Sequence, residues 1–165
     1  MAISTITKNK RDGKLTFSDN AAAHSLEVAF EAGDFSLTIP GPTVSHYLDR
    51  GKITTTPSLR YVDDQPMTFS FTANLRDMSD ATYATLLEII SVTGYVGTTW
   101  VSTMGATGEV FTLTLAWFIE GINHGDATNH TCTLNYCVVT GSVSEGDPNT
   151  ISISGTAFDL YPTLV

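Results

Sequence analysis

The stretch "MTFSFTANL", Met67 to Leu75, decides the fold class. Met67, Phe69, Phe71, Ala73 and Leu75 alternate with Thr68, Ser70, Thr72 and Asn74. Side chains of an extended chain point to opposite faces in turn, so this period of two reads as a strand with one apolar face. The same period recurs along the chain. Leu26, Val28 and Phe30 alternate with Ser25, Glu27, Ala29 and Glu31; Phe35, Leu37 and Ile39 with Ser36 and Thr38. Phe111, Leu113, Leu115 and Trp117 alternate with Thr112, Thr114 and Ala116; Cys132, Leu134, Tyr136 and Val138 with Thr131, Thr133 and Asn135. In "TISISGTAF", Thr150 to Phe158, Ile151, Ile153 and Ala157 oppose Thr150, Ser152, Ser154 and Thr156. Thr, Val, Ile and Phe also favour strands in their own right.

Two segments break the alternation. In "SDATYATLLEIISVTG", Tyr83, Leu86, Leu87 and Ile90 fall at i, i+3, i+4 and i+7, one face of a helix. Asp77 or Ser79 serves as its N-cap, Asp80 suits the positive end of its dipole, and Gly94 serves as its C-terminal cap. This predicts a single α-helix over about 80–92. Between Ile39 and Met67, Pro40 and Pro42 stop a strand and Asp49-Arg50-Gly51 reads as a turn. Tyr47, Leu48, Ile53, Leu59, Tyr61 and Val62 are too apolar for a freely solvated loop, so a long projecting hairpin or arm over about 40–65 is expected. The fold class is mainly β: a β-sandwich or half-barrel with one helix and one arm, forming a single domain over 1–165.

Charge is scarce. Only 15% of the 165 residues are charged, against roughly 25% in ordinary soluble domains. All eight basic residues lie in the first 76 positions, with eight acids to offset them. From Asp77 onward there are nine acids and no Lys or Arg, so the net charge of −9 resides there. Such a surface repels phosphate backbones rather than gripping them. The opening "MAISTITKNKRDG" lacks the apolar core of a signal peptide, and "LTLAWFI" is too short to span a bilayer. The odd spacing of Cys132 and Cys137 on one strand places them on opposite faces, as free thiols.

No nucleophile elbow, Gly-rich phosphate loop, H-E-x-x-H or paired C-x-x-C occurs, and neither a catalytic site nor a cofactor is expected. His124, Asp126, His130 and Cys132 are metal-ligand types, but their Gly and Asn neighbours suit a strand-to-strand loop. Glu145, Asp147 and Asn149 lack the acid-rich pattern of a calcium loop. No metal site is assigned. Asp63-Asp64 reads as a solvated turn before Pro66. The positive signal is a set of polar strand faces without charge: Thr68-Ser70-Thr72-Asn74, Thr112-Thr114, Thr131-Thr133-Asn135 and Thr150-Ser152-Ser154-Thr156. One or two such strands are ordinary. Four of them point to an interface between copies or to a specialised lining, on sheets whose edges lack the Lys and Pro that block pairing.

The order of these parts resembles the major tail tube proteins of long-tailed bacteriophages, which share a fold with the Hcp tube of type VI secretion. The resemblance covers most of the chain: strands through "SLEVAFEAGDFSLTIP", the long arm, "PMTFSFTANLRD", one capped helix, then "GEVFTLTLAWFIEG" and "TCTLNYCVVTGSVSEGDPNTISISGTAF". It implies a structural subunit, not an enzyme, that forms hexameric rings whose inner sheets close into one large β-barrel. The rings stack into a tube, assembled in the bacterial host cytoplasm and carried in the virion tail; a non-contractile tail is favoured, and a contractile sheath stays open. DNA passes through the bore without specific binding, and other tail proteins are the remaining partners. On this reading Glu27, Glu31, Thr68, Ser70, Thr72, Asn74, Thr112 and Thr114 are the candidates for the lumen. Tyr47, Leu48, Asp49, Arg50 and Lys52 of the arm, with Lys8, Lys10 and Arg11, are the candidates for contacts between subunits and rings. The hydroxyls of "TISISGTAF" are placed in a packed seam or outer sheet rather than the bore. The alternative is a phage decoration or adhesion module that binds through a sandwich face, with calcium at the "SEGDPN" turn.

Overall fold

A computed structural model describes residues 13–20, 23–28, 35–47, 58–105, 107–122 and 125–165. Among these residues ten strands and two short helices follow in the order β1 (Gly13–Ser18), β2 (Ser25–Val28), β3 (Ser36–Thr38), β4 (Val44–Tyr47), β5 (Ser58–Tyr61), β6 (Met67–Asn74), α1 (Leu86–Ser91), α2 (Gly94–Thr99), β7 (Leu113–Ile119), β8 (His130–Ser144), β9 (Thr150–Ala157) and β10 (Thr163–Leu164). All but β4 and β5 join one antiparallel sheet in the order β2-β1-β7-β8-β9-β6-β3, with β10 beside β8. The fold is mainly β, as the alternation predicts.

The long strand β8 turns this sheet into a sandwich. Its first half pairs with β7 (Trp117↔Cys132, Leu115↔Leu134) and its second half with β9 (Val138↔Thr156 through Ser144↔Thr150). Between them the register slips: Leu113 faces Cys137 where an unbroken ladder would put Tyr136. Tyr136 sits at φ 52, a left-handed conformation that a strand accommodates at a bulge. A strand that bulges and bends can serve two layers. One layer is β2-β1-β7 with the start of β8; the other is the end of β8 with β9, β6 and β3. Across the gap the Phe17 and Phe71 rings lie 6.1 Å apart, and Phe35 meets Trp117 at 5.1 Å. The core between the layers holds Leu15, Phe17, Leu113, Leu115, Leu134, Met67, Phe69, Phe71, Ile151 and Ile153.

The bulge corrects the expected placement of the thiols. One extra residue reverses the phase of the alternation, so Cys132 and Cys137 are both buried in the core. They are free thiols, and burial raises both from the ordinary thiol value.

The helical segment also differs from expectation. Asp80 accepts hydrogen bonds from the amides of Thr82 (2.6 Å) and Tyr83 (3.0 Å), an Asx turn that competes with helix formation. The helix begins later. Thr85 accepts from the Glu88 amide (3.3 Å) while the buried Glu88 carboxylate accepts from the Thr85 amide (3.2 Å), a complete capping box. Val92, at φ 51, ends α1, and Gly94 opens α2 instead of closing the first helix. A side chain at Gly94 would overlap the Glu88 carboxylate, and the residue's positive φ also calls for glycine. Ile89, Val96 and Trp100 carry both helices into the core, and Ile90 lies over Gly141 of β8.

Within the expected arm, β4 and β5 form a separate two-stranded antiparallel sheet, with Val44 opposite Tyr61 and Tyr47 opposite Ser58. A hairpin stem is therefore present in the segment read as an arm. Leu48, Asp49, Arg50 and Lys52 lie outside the described residues, as do Lys8, Lys10, Arg11 and Glu31.

Candidate functional site

The second layer presents one continuous face of hydroxyls to solvent. Core residues Phe69, Phe71, Ile151 and Ile153 fix which side of β6 and β9 turns inward, and alternation sends Thr68, Ser70, Thr72, Asn74, Thr150, Ser152, Ser154 and Thr156 outward. Cross-strand register then aligns them in rows. Ser36, Ser70, Ser154 and Thr140 form one row across β3, β6, β9 and β8. Thr38, Thr68, Thr156 and Val138 form the next. Thr72, Ser152 and Ser142 follow, then Asn74, Thr150 and Ser144. Adjacent strands put these groups about 4.8 Å apart across the rows, and the pleat spaces the rows by about 6.8 Å. None of the fourteen positions is charged.

The face is shallowly dished. Two open grooves lie over it, of about 520 Å³ between Thr72, Ser142 and Ser152 and about 380 Å³ between Ser36, Thr68 and Thr156. Both include Ser70, Thr140 and Ser154. Gly155 keeps the middle flat on the core side, because the Phe69 ring crosses where its side chain would stand. Thr140 Oγ1 lies 3.1 Å from Ser154 Oγ and 3.2 Å from the Ser154 carbonyl oxygen, a cross-strand link within the row.

The face has neutral donors and acceptors and no group to activate them. A serine hydroxyl is a weak nucleophile without an adjacent base, and no His or carboxylate stands among these positions. It has no cation to hold a phosphate. What it can hold is a layer of water. Among the described residues its borders are strand edges that no further strand pairs with. β7 stops where Leu113 meets Cys137, so among the described residues no strand pairs with the outer edge of Val138–Ser144. That edge reads "VVTGSVS", without Lys or Pro. On the other side β3, three residues long, is the last strand of the sheet among the described residues.

Several sequence-based candidates fall elsewhere. Thr112 is buried, with its hydroxyl 2.6 Å from Thr103 Oγ1 and 3.3 Å from Ser102 Oγ, so it presents nothing to a lumen. The loop carrying Ser102 and Thr103 folds over it, which strand periodicity does not reveal. Thr114 lies on β7 in the first layer, within 3.5 Å of the Asn135 side chain. Glu27 lies on β2, also in the first layer, and pairs with Lys14 on β1. Both stand on the layer opposite the hydroxyl face. Thr131 and Thr133 pair with Phe118 and Ala116 there too. Conversely, Thr150, Ser152, Ser154 and Thr156 are direct neighbours of the β6 candidates and share their face, so any role given to one strand belongs to both. Ser36, Thr38, Thr140, Ser142 and Ser144 complete the face and were missed. For Thr140, Ser142 and Ser144 the signal is a phase change from the odd positions Thr131, Thr133 and Asn135 to even ones, whereas Ser36 and Thr38 follow the plain alternation of β3.

Among the described residues no three His, Cys, Asp or Glu side chains come together as metal ligands. Asp126 contacts His130 at 2.9 Å, and Asn149 closes its own turn by accepting from the Gly146 amide at 2.9 Å. No family model matches the chain, and no curated protein matches its sequence.

Proposed function

We propose that the protein is a structural, self-assembling subunit of a bacteriophage tail tube, built of stacked hexameric rings through which DNA leaves the virion. One observation carries this reading: a four-stranded, charge-free hydroxyl face whose two bordering strand edges are unpaired among the described residues. An open edge offers unpaired amides and carbonyls to another strand. The two edges differ, one from β8 and one from β3, so a second copy adds head to tail, and such contacts close into rings when the rotation allows. Six copies of a four-stranded layer give a barrel of about two dozen strands, and strand spacing with a tilt near 40° sets its diameter at roughly 45–50 Å. That leaves a water-filled bore lined by Thr, Ser and Asn.

Such a lining suits passage of a polyanion. Without cations there is no release of counterions to drive binding, so the duplex slides without adhering. In this arrangement Glu27 belongs to the outer layer, and the lumen candidates become the rows of β3, β6, β8 and β9. The chain needs no cofactor and catalyses nothing. Its partners are copies of itself and other tail proteins.

Electron microscopy of the purified full chain tests the reading. Rings or tubes with an open centre are expected on concentration or beside a tail initiator complex. A chain that stays monomeric under both conditions overturns it. A melting temperature raised by calcium or by a glycan would favour an adhesion module instead.

A further inference from the structure

The two ends of strand β6 carry groups that fit one another. Before it stand Asp63 and Asp64, both exposed; after it stands Arg76, also exposed. None of the three forms an ion pair among the described residues. Arg76 is the last basic residue of the chain. At the leading end a groove of about 290 Å³ is lined by Asp64, Gln65, Pro66, Phe158, Asp159 and Leu160. It combines two carboxylates with the exposed apolar side chains of Phe158 and Leu160, 59% and 56% accessible. At the trailing end Arg76 is followed by the exposed side chains of Met78 and Tyr83, 63% and 72% accessible. The Asp80 turn fixes the amides of Thr82 and Tyr83 and so sets where that loop points.

We infer that this groove is an axial docking site for Arg76 of a second copy. A guanidinium on an aliphatic stem matches it: the stem and planar head lie against Phe158, and the head meets Asp64. Both partners flank the same strand. Copies stacked along the barrel axis, to which the strands tilt by about 40°, therefore present them from opposite ends of one strand and so at similar distances from the hydroxyl face. The contact is heterologous, so it propagates as a filament rather than closing on itself. Repeated around a ring, individually weak contacts add through multivalency. The inference rests on the ring reading above and adds to it the contact between rings.

The test uses the full-length chain under conditions where the unaltered protein forms tubes. Arg76→Asp is expected to leave single rings intact and to shorten tubes at least tenfold by electron microscopy. The charge-exchanged chain, Arg76→Asp with Asp64→Arg, is expected to restore tube length. Unaltered tubes should also shorten as salt rises, since the pair begins at the surface. Tubes of unchanged length in Arg76→Asp overturn the docking site, and so does failure of the exchanged chain to recover while its rings persist. An unaltered chain that forms neither rings nor tubes overturns the ring reading itself, and the inference with it.

Discussion

Ser154→Lys distinguishes an open lining from a packed seam. Ser154 sits at the middle of the hydroxyl face, with Ser70 and Thr140 beside it and no charge among its row neighbours. Its side chain is exposed in the single chain. A lysine there keeps its ammonium in water and changes stability by no more than about 0.5 kcal/mol, the usual range for an exposed site. For a domain of this size the melting temperature then moves by no more than about 2 °C. The assembled form separates the two cases. If the face lines a water-filled bore, the ammonium stays solvated and the critical concentration for assembly hardly changes. If the face is a seam, each copy buries an unpaired charge at a cost of about 3–5 kcal/mol. At a factor of ten per 1.4 kcal/mol, that raises the critical concentration by about two to three and a half orders of magnitude.

The assay is sedimentation of assembled material across a concentration series, beside thermal melting of the unassembled chain. Ser154→Cys provides the position. Cys132 and Cys137 are buried, so a heavy-atom maleimide reacts at the new thiol, and end-on images should show the label around the bore. Loss of assembly in a lysine variant that melts normally refutes the open bore, and label at the outer rim refutes the inward orientation.

Three further outcomes test the scaffold. Glu88→Ala removes the acceptor for Ser79 Oγ (2.9 Å) and for the amides of Thr85 (3.2 Å) and Tyr95 (3.4 Å), and should cost about 2–4 kcal/mol by urea unfolding, with Glu88→Gln costing less. Asp19 is buried, which by itself raises a carboxyl, but the His24 ring at 2.8 Å, the Val101 and His24 amides at 3.3 Å and the His24 charge hold it below its ordinary value of 3.8. A depressed folded value means the stabilisation is present above pH 3.8 and lost as pH falls through the folded value. Asp19→Asn should therefore flatten the acid limb of the stability profile and cost about 1–3 kcal/mol near neutrality. Burial, with an opposing Leu115 amide and a reinforcing Asp159 charge, pushes Cys137 up to about 12. At pH 8 its reaction with a disulfide reagent should be about three orders of magnitude slower than in denaturant, and equal rates in both would show that the core is open.

The parts of this fold that follow from local period were legible in the sequence; the parts that depend on a break in period were not. Met67–Asn74 and Thr150–Ala157 keep one phase throughout, so their inward and outward faces could be read directly. The helix start could not be read so well, because Asp80 and Thr85 both compete for the local amides and hydrogen-bond geometry decides between them. Gly94 reads as a terminator because a left-handed glycine is the common mark of a helix end, yet Val92 takes that position and Gly94, also at positive φ, opens α2. The most consequential break is at Tyr136. Counting by twos across it puts Val138 with the core and Thr140, Ser142 and Ser144 out of reach of the Thr150–Thr156 row. With one residue inserted, those hydroxyls fall in register with Ser154, Ser152 and Thr150, and β8 gains an edge that no strand pairs with among the described residues. A single bulge thus extends two hydroxyl-bearing strands into a broad neutral face and supplies the border through which a second copy would continue it. Val138 is the one apolar member among that face's fourteen positions, and it lies in the row nearest the bulge, where the strand passes from one layer to the other.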